Sequence, residues 1–216
     1  MGRVNTNQSV NVAQLIQWLH EFGALINQNK GYLTELDSAI GDADHGSNMA
    51  RGMTAVLNQL ADQSTADALF KKVGMTLVSS VGGASGPLYG TFFMKFATTL
   101  GSGDDVPADA LAAGLRAGFE GVLSRGKAEL GDKTMVDAMS PAIDAIDTSL
   151  AEGRSLSEAV RAGAEAARQG RDATTAMVAR KGRASYLGER SKDHQDPGAT
   201  STAYLFEALA SSLDKG

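Results

Sequence analysis

Apolar residues recur every three or four positions along almost the whole chain, and this spacing limits the possible folds more than any other feature. The first stripe begins near Val12 and runs through Leu19, Phe22 and Ile26, which share one face of a helix. Seven further helical segments follow, and they contain in order Met53, Val73, Phe93, Leu115, Met139, Ser155 and Leu209. No convincing alternating strand is present. The sequence therefore predicts an all-α, single-domain fold of about eight helices.

Several local signals mark the ends of these helices. Ser155 and Glu158 have the spacing of a capping box, Gly126 is the expected stop of the fifth helix, and Pro141 is expected to kink the sixth. The stretch "GSGDDVP" (101–107) is expected to be a surface connection, and no interdomain linker stands out. We therefore expect one domain over residues 11–216, preceded by a flexible N-terminus over residues 1–10.

Charge and composition exclude several functional classes. The net charge of −5 argues against a general nucleic-acid binder and against attachment to an anionic membrane surface. No apolar run approaches the roughly 20 residues of a membrane-spanning helix. The chain has no cysteine, which excludes disulfides and thiolate metal sites and is compatible with a reducing compartment. We expect a cytoplasmic protein that contacts neither nucleic acid nor membrane directly.

Four polar, glycine-rich segments lie at the predicted helix boundaries. Their sequences are "ELDSAIGDADHGSN" (35–48), "SSVGGASGPLYG" (79–90), "SRGKAELGDKT" (124–134) and "ARKGRASYLGERSKDHQDPGATS" (179–201). In a bundle of antiparallel neighbours, alternate connections fall at the same end. Several of these segments are therefore expected to converge on one site.

The first polar segment crowds Asp37, Asp42 and Asp44 into eight positions. They are either solvated residues of a turn or ligands of a cation that relieves their mutual repulsion. Ligation by oxygen alone indicates Mg²⁺ or Ca²⁺ rather than zinc. An EF-hand is excluded, because Met53 stands at the twelfth loop position, where Glu is needed. Mg²⁺ commonly completes its shell with phosphate oxygens, so the metal interpretation predicts a phosphorylated ligand.

The second and fourth polar segments offer groups suited to phosphate. The glycines around Ser85 let backbone N–H groups approach an anion, and the helix that starts near Pro87 points its positive end at the same place. The spacing matches neither a P-loop nor a Rossmann fingerprint, and taken alone it is equally compatible with a simple turn. The fourth segment is basic. A charge run is commonly a solvated face, but one arginine that reaches phosphate oxygens is enough to stabilise transition-state charge.

Together the four segments resemble the ADP-binding L subunits of the dihydroxyacetone kinase family. The resemblance extends from about Leu15 to Leu213, with the motifs in the order found in the family. It implies an α-helical barrel of eight antiparallel helices with the nucleotide at one end. It also implies that Asp37, Asp42 and Asp44 hold two Mg²⁺ ions, which bridge the phosphates of ADP or ATP.

The resemblance also implies nucleotide contacts, position by position. The matched residues are His45, Gly46, Ser47, Asn48, Ala84, Ser85, Gly126, Met135, Arg183, Asp196, Pro197 and Gly198. Among them, Gly126 and Met135 match residues that line the adenosine end. Arg183 matches an arginine near the phosphates and is the expected catalytic residue. The stretch 196–198 matches a turn that closes over the nucleotide.

The implied activity is phosphoryl transfer to dihydroxyacetone, which a separate K subunit binds. In one branch of the family, an M subunit phosphorylates the retained ADP from a phosphohistidine of the sugar phosphotransferase system. In the other branch, K-like and L-like domains share a longer chain and ATP exchanges freely. The present chain has only the L-like part, which leads us to expect the first branch.

Several alternatives to that function remain open. The chain could be a nucleotide-dependent regulatory subunit that binds a transcriptional regulator, the nucleotide subunit of a kinase that uses free ATP, or the nucleotide domain of a fatty-acid kinase. A homodimer also remains open.

Overall fold

The computed structural model describes residues 9–60 and 63–214. The elements in these ranges are, in chain order, β1 Ser9–Asn11, α1 Val12–Gln28, α2 Lys30–Ile40, α3 His45–Leu57, α4 Ala66–Ser80, α5 Ser85–Ala97, β2 Asp105–Pro107, α6 Ala108–Gly126, α7 Met135–Ala151, α8 Leu156–Ala173 and α9 Pro197–Asp214. Two 3₁₀ segments, Thr174–Ala176 and Arg183–Ser191, lie in the α8–α9 loop (residues 174–196), and the second has a kink at Gly188. None of the helices described is both long enough and apolar enough to cross a membrane.

Eight of the helices form a closed ring. Each packs against the next in the order α1, α3, α4, α5, α6, α7, α8 and α9, and α9 returns to α1. Helix α2 is not part of this ring, and it contacts α1, α3, α9 and the 3₁₀ segment Arg183–Ser191. The predicted all-α barrel of about eight helices is therefore confirmed, with α2 as an additional helix.

Aromatic and aliphatic side chains fill the interior of the ring. Trp18 is fully buried against Phe70, Phe93 and Phe96, with ring centroids 5.5, 5.9 and 5.7 Å away. Its Nε1 donates a hydrogen bond to the Leu205 carbonyl at 2.8 Å, so the one polar atom of the indole is satisfied inside the core. The apolar stripes of the sequence thus face a common core, as their spacing predicts.

A short sheet was not expected from the sequence. Strands β1 and β2 pair antiparallel, with Val10 opposite Val106, and both valines are fully buried. The connection 101–107 therefore ends in a strand and is not only a surface loop. Most of the expected flexible N-terminus (1–10) lies outside the described residues, and its last two residues, Ser9 and Val10, belong to β1.

The expected helix-end signals have different outcomes. The capping box of Ser155 and Glu158 is present at the start of α8. Helix α6 ends at Gly126, and Lys127 follows in the left-handed region with φ 50°. Helix α7 runs unbroken through Pro141.

Candidate functional site

Four helix N-termini meet at one end of the ring, those of α3, α5, α7 and α9. They border a cavity of about 220 Å³, and all four polar segments contribute to its wall. The first turn of a helix has unpaired N–H groups and a partial positive charge, and α5 carries no side-chain cap. This end of the ring therefore favours an anionic ligand such as a phosphate.

The three aspartates lie together on one side of the cavity. Asp37 is buried at the end of α2, whereas Asp42 and Asp44 belong to the loop that follows, and ligand oxygens of all three lie within 4.8 Å of one another. Oδ2 of Asp37 accepts backbone N–H groups from Asp44 at 2.8 Å and from His45 at 3.0 Å. These bonds fold the loop onto Asp37 and hold three carboxylates together despite their repulsion. Three oxygen ligands so close together suit a hard divalent cation.

The backbone of this acidic loop is tight. A Cβ at Gly41 would collide with the Asp37 carboxylate, so only glycine allows the close approach. Ala43 lies in the left-handed region with φ 61°, where non-glycine residues are uncommon. Such conformations persist where the surrounding structure enforces them, and they are common at functional sites.

His45 is held between two hydroxyl groups at the base of the cavity. Its Nε2 lies 2.9 Å from Oγ of Ser201 on α9, and its Nδ1 lies 3.1 Å from Oγ of Ser85 on α5. Burial lowers the pKa of the imidazole below its usual value, and the carboxylates of Asp37 and Asp44 oppose this shift. The ring is therefore neutral at physiological pH, with one donor and one acceptor nitrogen, and it ties α3, α5 and α9 together.

Arg183 faces the aspartates from the α8–α9 loop. Its Nη2 forms an ion pair with Oδ2 of Asp42 at 2.9 Å, and the arginine side chain is 69% exposed. An exposed ion pair contributes little to stability. Arg183 can therefore turn from Asp42 towards a phosphate at little cost.

A second, apolar compartment of about 280 Å³ adjoins the polar cavity. The lining residues that the two have in common include Ala84, Leu88 and Met135, and the second compartment also includes Val122 and Gly126. A charged compartment beside an apolar one suits a ligand with a phosphate chain and a flat base.

The structure brings most of the residues singled out in the sequence to these two compartments. They are lined by Asp37, Asp42, Asp44, His45, Ala84, Ser85, Gly126, Met135, Arg183, Asp196, Pro197 and Gly198. Gly46, Ser47 and Asn48 are not in the lining. A Cβ at Gly46 would collide with the Lys30 carbonyl of α2, and Ser47 Oγ donates to the Asp44 carbonyl at 2.9 Å. Contacts with a nucleotide or a metal ion remain predictions for all the site residues, those in the lining included.

Sequence reasoning missed two buried charged residues: Lys133, just before α7, and Asp137, in the first turn of α7. Asp137 accepts the N–H of Gly131 through Oδ1 at 2.6 Å and that of Thr134 through Oδ2 at 2.8 Å. The spacing of Thr134 and Asp137 resembles a capping box and could have revealed this role. Lys133, which also lines the cavity, is 1% exposed. Nothing in the sequence distinguishes it from the surface lysines.

Asp196 is a buried carboxyl at the start of α9. Burial raises its pKa to about 7, and the nearby charge of Asp137 adds to the rise. The N–H of Ala199, which donates to Oδ2 at 2.6 Å, and the Lys133 ammonium oppose it. In the ligand-free protein, the Asp196 carboxyl is therefore partly protonated near neutral pH.

This shift predicts a pH dependence of stability. An unfolded Asp ionises near pH 4, so between about pH 4 and pH 7 native Asp196 keeps a proton that the unfolded chain has lost, and the free energy of unfolding falls as pH rises through this window. Asp196→Asn cannot ionise. Between about pH 5 and pH 8, the free energy of unfolding of the variant should therefore fall by about 1–3 kcal/mol less than that of the wild type. Urea unfolding at a series of pH values measures this difference.

The matched control is Asp193→Asn, which changes an exposed carboxylate three positions earlier and should follow the wild type. His45, whose pKa is lowered, makes the free energy of unfolding rise with pH, but this contribution is the same in the wild type and in both variants. The same pH dependence in Asp196→Asn and wild type would contradict the assignment.

Comparisons with known proteins agree along most of the chain. The family model described as DAK2 domain matches residues 39–211. The ADP-binding subunit DhaL of the PEP-dependent dihydroxyacetone kinase of Escherichia coli (strain K12) is 46% identical over 204 residues, which cover 94% of this chain and 97% of that relative. DhaL of the PTS-dependent dihydroxyacetone kinase of Lactococcus lactis is 45% identical and covers 90% of this chain and 94% of its own.

A solved structure shares the architecture. The dihydroxyacetone kinase from C. freundii in complex with AMP-PNP and Mg²⁺ matches with a TM-score of 0.69 and 28% identity, over 98% of this chain. The match covers 36% of that longer protein, so this chain corresponds to about a third of it. From the family model and the similarity to DhaL subunits over nearly their full length, the chain belongs to the DAK2 domain family, among the dihydroxyacetone kinase subunits called DhaL.

Proposed function

We propose that this chain is the ADP-binding subunit of a phosphoenolpyruvate-dependent dihydroxyacetone kinase, and that its ADP is a retained cofactor that is phosphorylated in place. The observation that carries this proposal is the 46% identity to a DhaL subunit over 97% of that subunit's length. The longer C. freundii kinase is less similar, at 28% identity. The cavity supports the proposal independently, because it combines an acidic cluster, four helix N-termini and an apolar compartment.

In this proposal, the polar cavity binds the phosphates of the nucleotide and the apolar compartment binds its base. The phosphates lie between the aspartates and the N-terminus of α5, and the base lies beside Met135 and Gly126. Asp37, Asp42 and Asp44 supply the carboxylates for two Mg²⁺ ions. Bound Mg²⁺ supplies the neutralisation of phosphate charge that this chemistry requires.

Residues of the chain then act by positioning and by charge, which is the main requirement of phosphoryl transfer. The first N–H groups of α5 donate to phosphate oxygens, and Ser85 is held in place by neutral His45. Arg183 leaves Asp42 and stabilises charge on the transferred group. Two partners complete the reaction: a phosphohistidine subunit that phosphorylates the β-phosphate of the bound ADP, and a K subunit that presents dihydroxyacetone.

A label-retention experiment tests the proposal. The protein is loaded with Mg²⁺ and labelled ADP and then mixed with unlabelled ATP, a K-type subunit and dihydroxyacetone, with and without the phosphohistidine donor. We expect the label to stay on the protein and dihydroxyacetone phosphate to form only with the donor, because the α8–α9 loop and the metal ions hold the nucleotide.

The control is a donor subunit whose phosphorylated histidine is replaced, which should support no turnover. Rapid loss of label together with sustained turnover on ATP alone would contradict the proposal and indicate a kinase that uses free ATP.

A further inference from the structure

Lys133 occupies an unusual position beneath the α8–α9 loop. Its side chain is almost completely buried, and Nζ donates to four backbone carbonyls, those of Thr174 at 2.8 Å, Met177 at 3.1 Å, Ser191 at 2.7 Å and His194 at 2.5 Å. Within residues 9–60 and 63–214, no carboxylate forms an ion pair with it. Four carbonyl oxygens therefore replace the water around a buried ammonium group.

The four carbonyls come from both ends of the loop. Two precede the segment 178–190 and two follow it, so one ammonium group joins the two ends of the segment that carries Arg183. Two other hydrogen bonds join the same two ends of the loop. The Asp193 N–H donates to the Thr175 carbonyl at 2.8 Å, and the Ala179 N–H donates to Ser191 Oγ at 2.8 Å.

The arrangement leaves Lys133 without a free donor for a ligand. An ammonium group has three N–H donors, and four carbonyl oxygens already share them. Lys133 lines the cavity but is occupied by the loop, unlike a lysine that binds phosphate directly. Loss of the ammonium would remove the donor from the carbonyls of Met177, Ser191 and His194, and for the buried Ser191 carbonyl this is more costly than loss of a bond at the surface.

We propose that Lys133 is a positioning residue, whose ammonium group fixes both ends of the α8–α9 loop and so aims Arg183 and the turn 196–198 at the nucleotide. The inference rests on the proposed nucleotide site. Its distinctive consequence is that Lys133 affects nucleotide release and Arg183 without itself contacting the phosphates.

The first test compares Lys133→Met with Lys127→Met. Lys127 lies in the same connection, also has a positive φ, and is exposed. Release of ADP in the presence of Mg²⁺ and trypsin cleavage within residues 180–192 are measured, with urea unfolding as a check on the ring. We expect Lys133→Met to speed both release and loop cleavage by at least about tenfold, and Lys127→Met to change neither.

Two further measurements separate positioning from general destabilisation. In Lys133→Ala, added propylammonium should slow ADP release again. This cation has the size of the side-chain part that the substitution removes, so it can bind between the four carbonyls that accept from Nζ. The effect of Arg183→Ala on phosphoryl transfer should be smaller in the Lys133→Met background than in wild type, since residues that act through one another are not additive. If Lys133→Met unfolds the ring, Lys133→Gln, which retains two N–H donors, is tested by the same loop assays.

Unchanged ADP release and unchanged loop cleavage in a folded Lys133 variant would overturn the inference, as would full additivity with Arg183→Ala. Failure of the wild-type protein to retain ADP with Mg²⁺ would instead contradict the proposed function. Loop cleavage, which needs no nucleotide, would still test whether Lys133 holds the loop.

Discussion

Asp42→Asn and Asp44→Asn should each abolish the retention of ADP while the helical ring stays folded. Each change removes one negative charge from a cluster in which one oxygen of each of the three carboxylates lies within 4.8 Å of the others. In the proposed function, Mg²⁺ held by this cluster would carry the phosphates, so we expect the affinity for ADP in Mg²⁺ to fall at least about 100-fold, more than loss of an outer-shell partner would cause. Bound nucleotide after purification, Mg²⁺ titrations and helical circular dichroism measure this effect.

Glu35→Gln is the matched control, since it neutralises an exposed carboxylate on α2 outside the cavity. Asp37→Asn is a less clean variant, because Asp37 also accepts the two N–H groups that fold the acidic loop. Asp42→Asn or Asp44→Asn protein that still purifies with stoichiometric ADP would overturn the metal assignment.

Arg183→Ala should slow phosphoryl transfer far more than it weakens ADP binding. A cation directed at charge that grows in the transition state affects rate beyond ground-state affinity, so we expect a rate loss of about 10²- to 10³-fold with less than about tenfold loss of affinity. Steady-state rates with a K-type subunit and a phosphohistidine donor, together with ADP titrations, give both quantities.

The ion pair between Arg183 and Asp42 adds a second expectation. Arg183→Ala removes a competing cation from a proposed metal ligand, so the affinity for Mg²⁺ should not fall. Arg190→Ala, which changes another exposed arginine of the α8–α9 loop, should leave rate and affinity near wild type. Equal losses of rate and ADP affinity in Arg183→Ala would show that the residue only binds.

The eight helices of the ring could be predicted because each buries an apolar stripe of regular spacing, whereas the closure of the ring was implied only by the family resemblance. Helix α2 could not, since it has only three buried residues, Leu33, Asp37 and Ile40, and one of them is charged. It also contains Gly31, a weak helix former. The sheet was missed for a related reason: strands of three residues are too short to show alternation.

The site was predictable where chemistry requires a recognisable cluster, as with the aspartates and the glycine-rich turn. Lys133 was not, because burial of a lysine by carbonyls distant in sequence leaves no local pattern. The elevated pKa of Asp196 was equally hidden, since it follows from burial and from the neighbouring Asp137. Long-range packing creates both properties, and the spacing of residues along the chain does not record them.

The single tryptophan gives the protein a built-in fluorescence probe. Trp18 is fully buried among three phenylalanines and is absent from the lining of both compartments. Its emission should therefore be that of an indole shielded from water, should shift to longer wavelength when the ring unfolds, and should respond little to changes confined to the α8–α9 loop. Each variant described above can thus be checked for an intact core by its emission spectrum, in the same cuvette in which nucleotide release is followed.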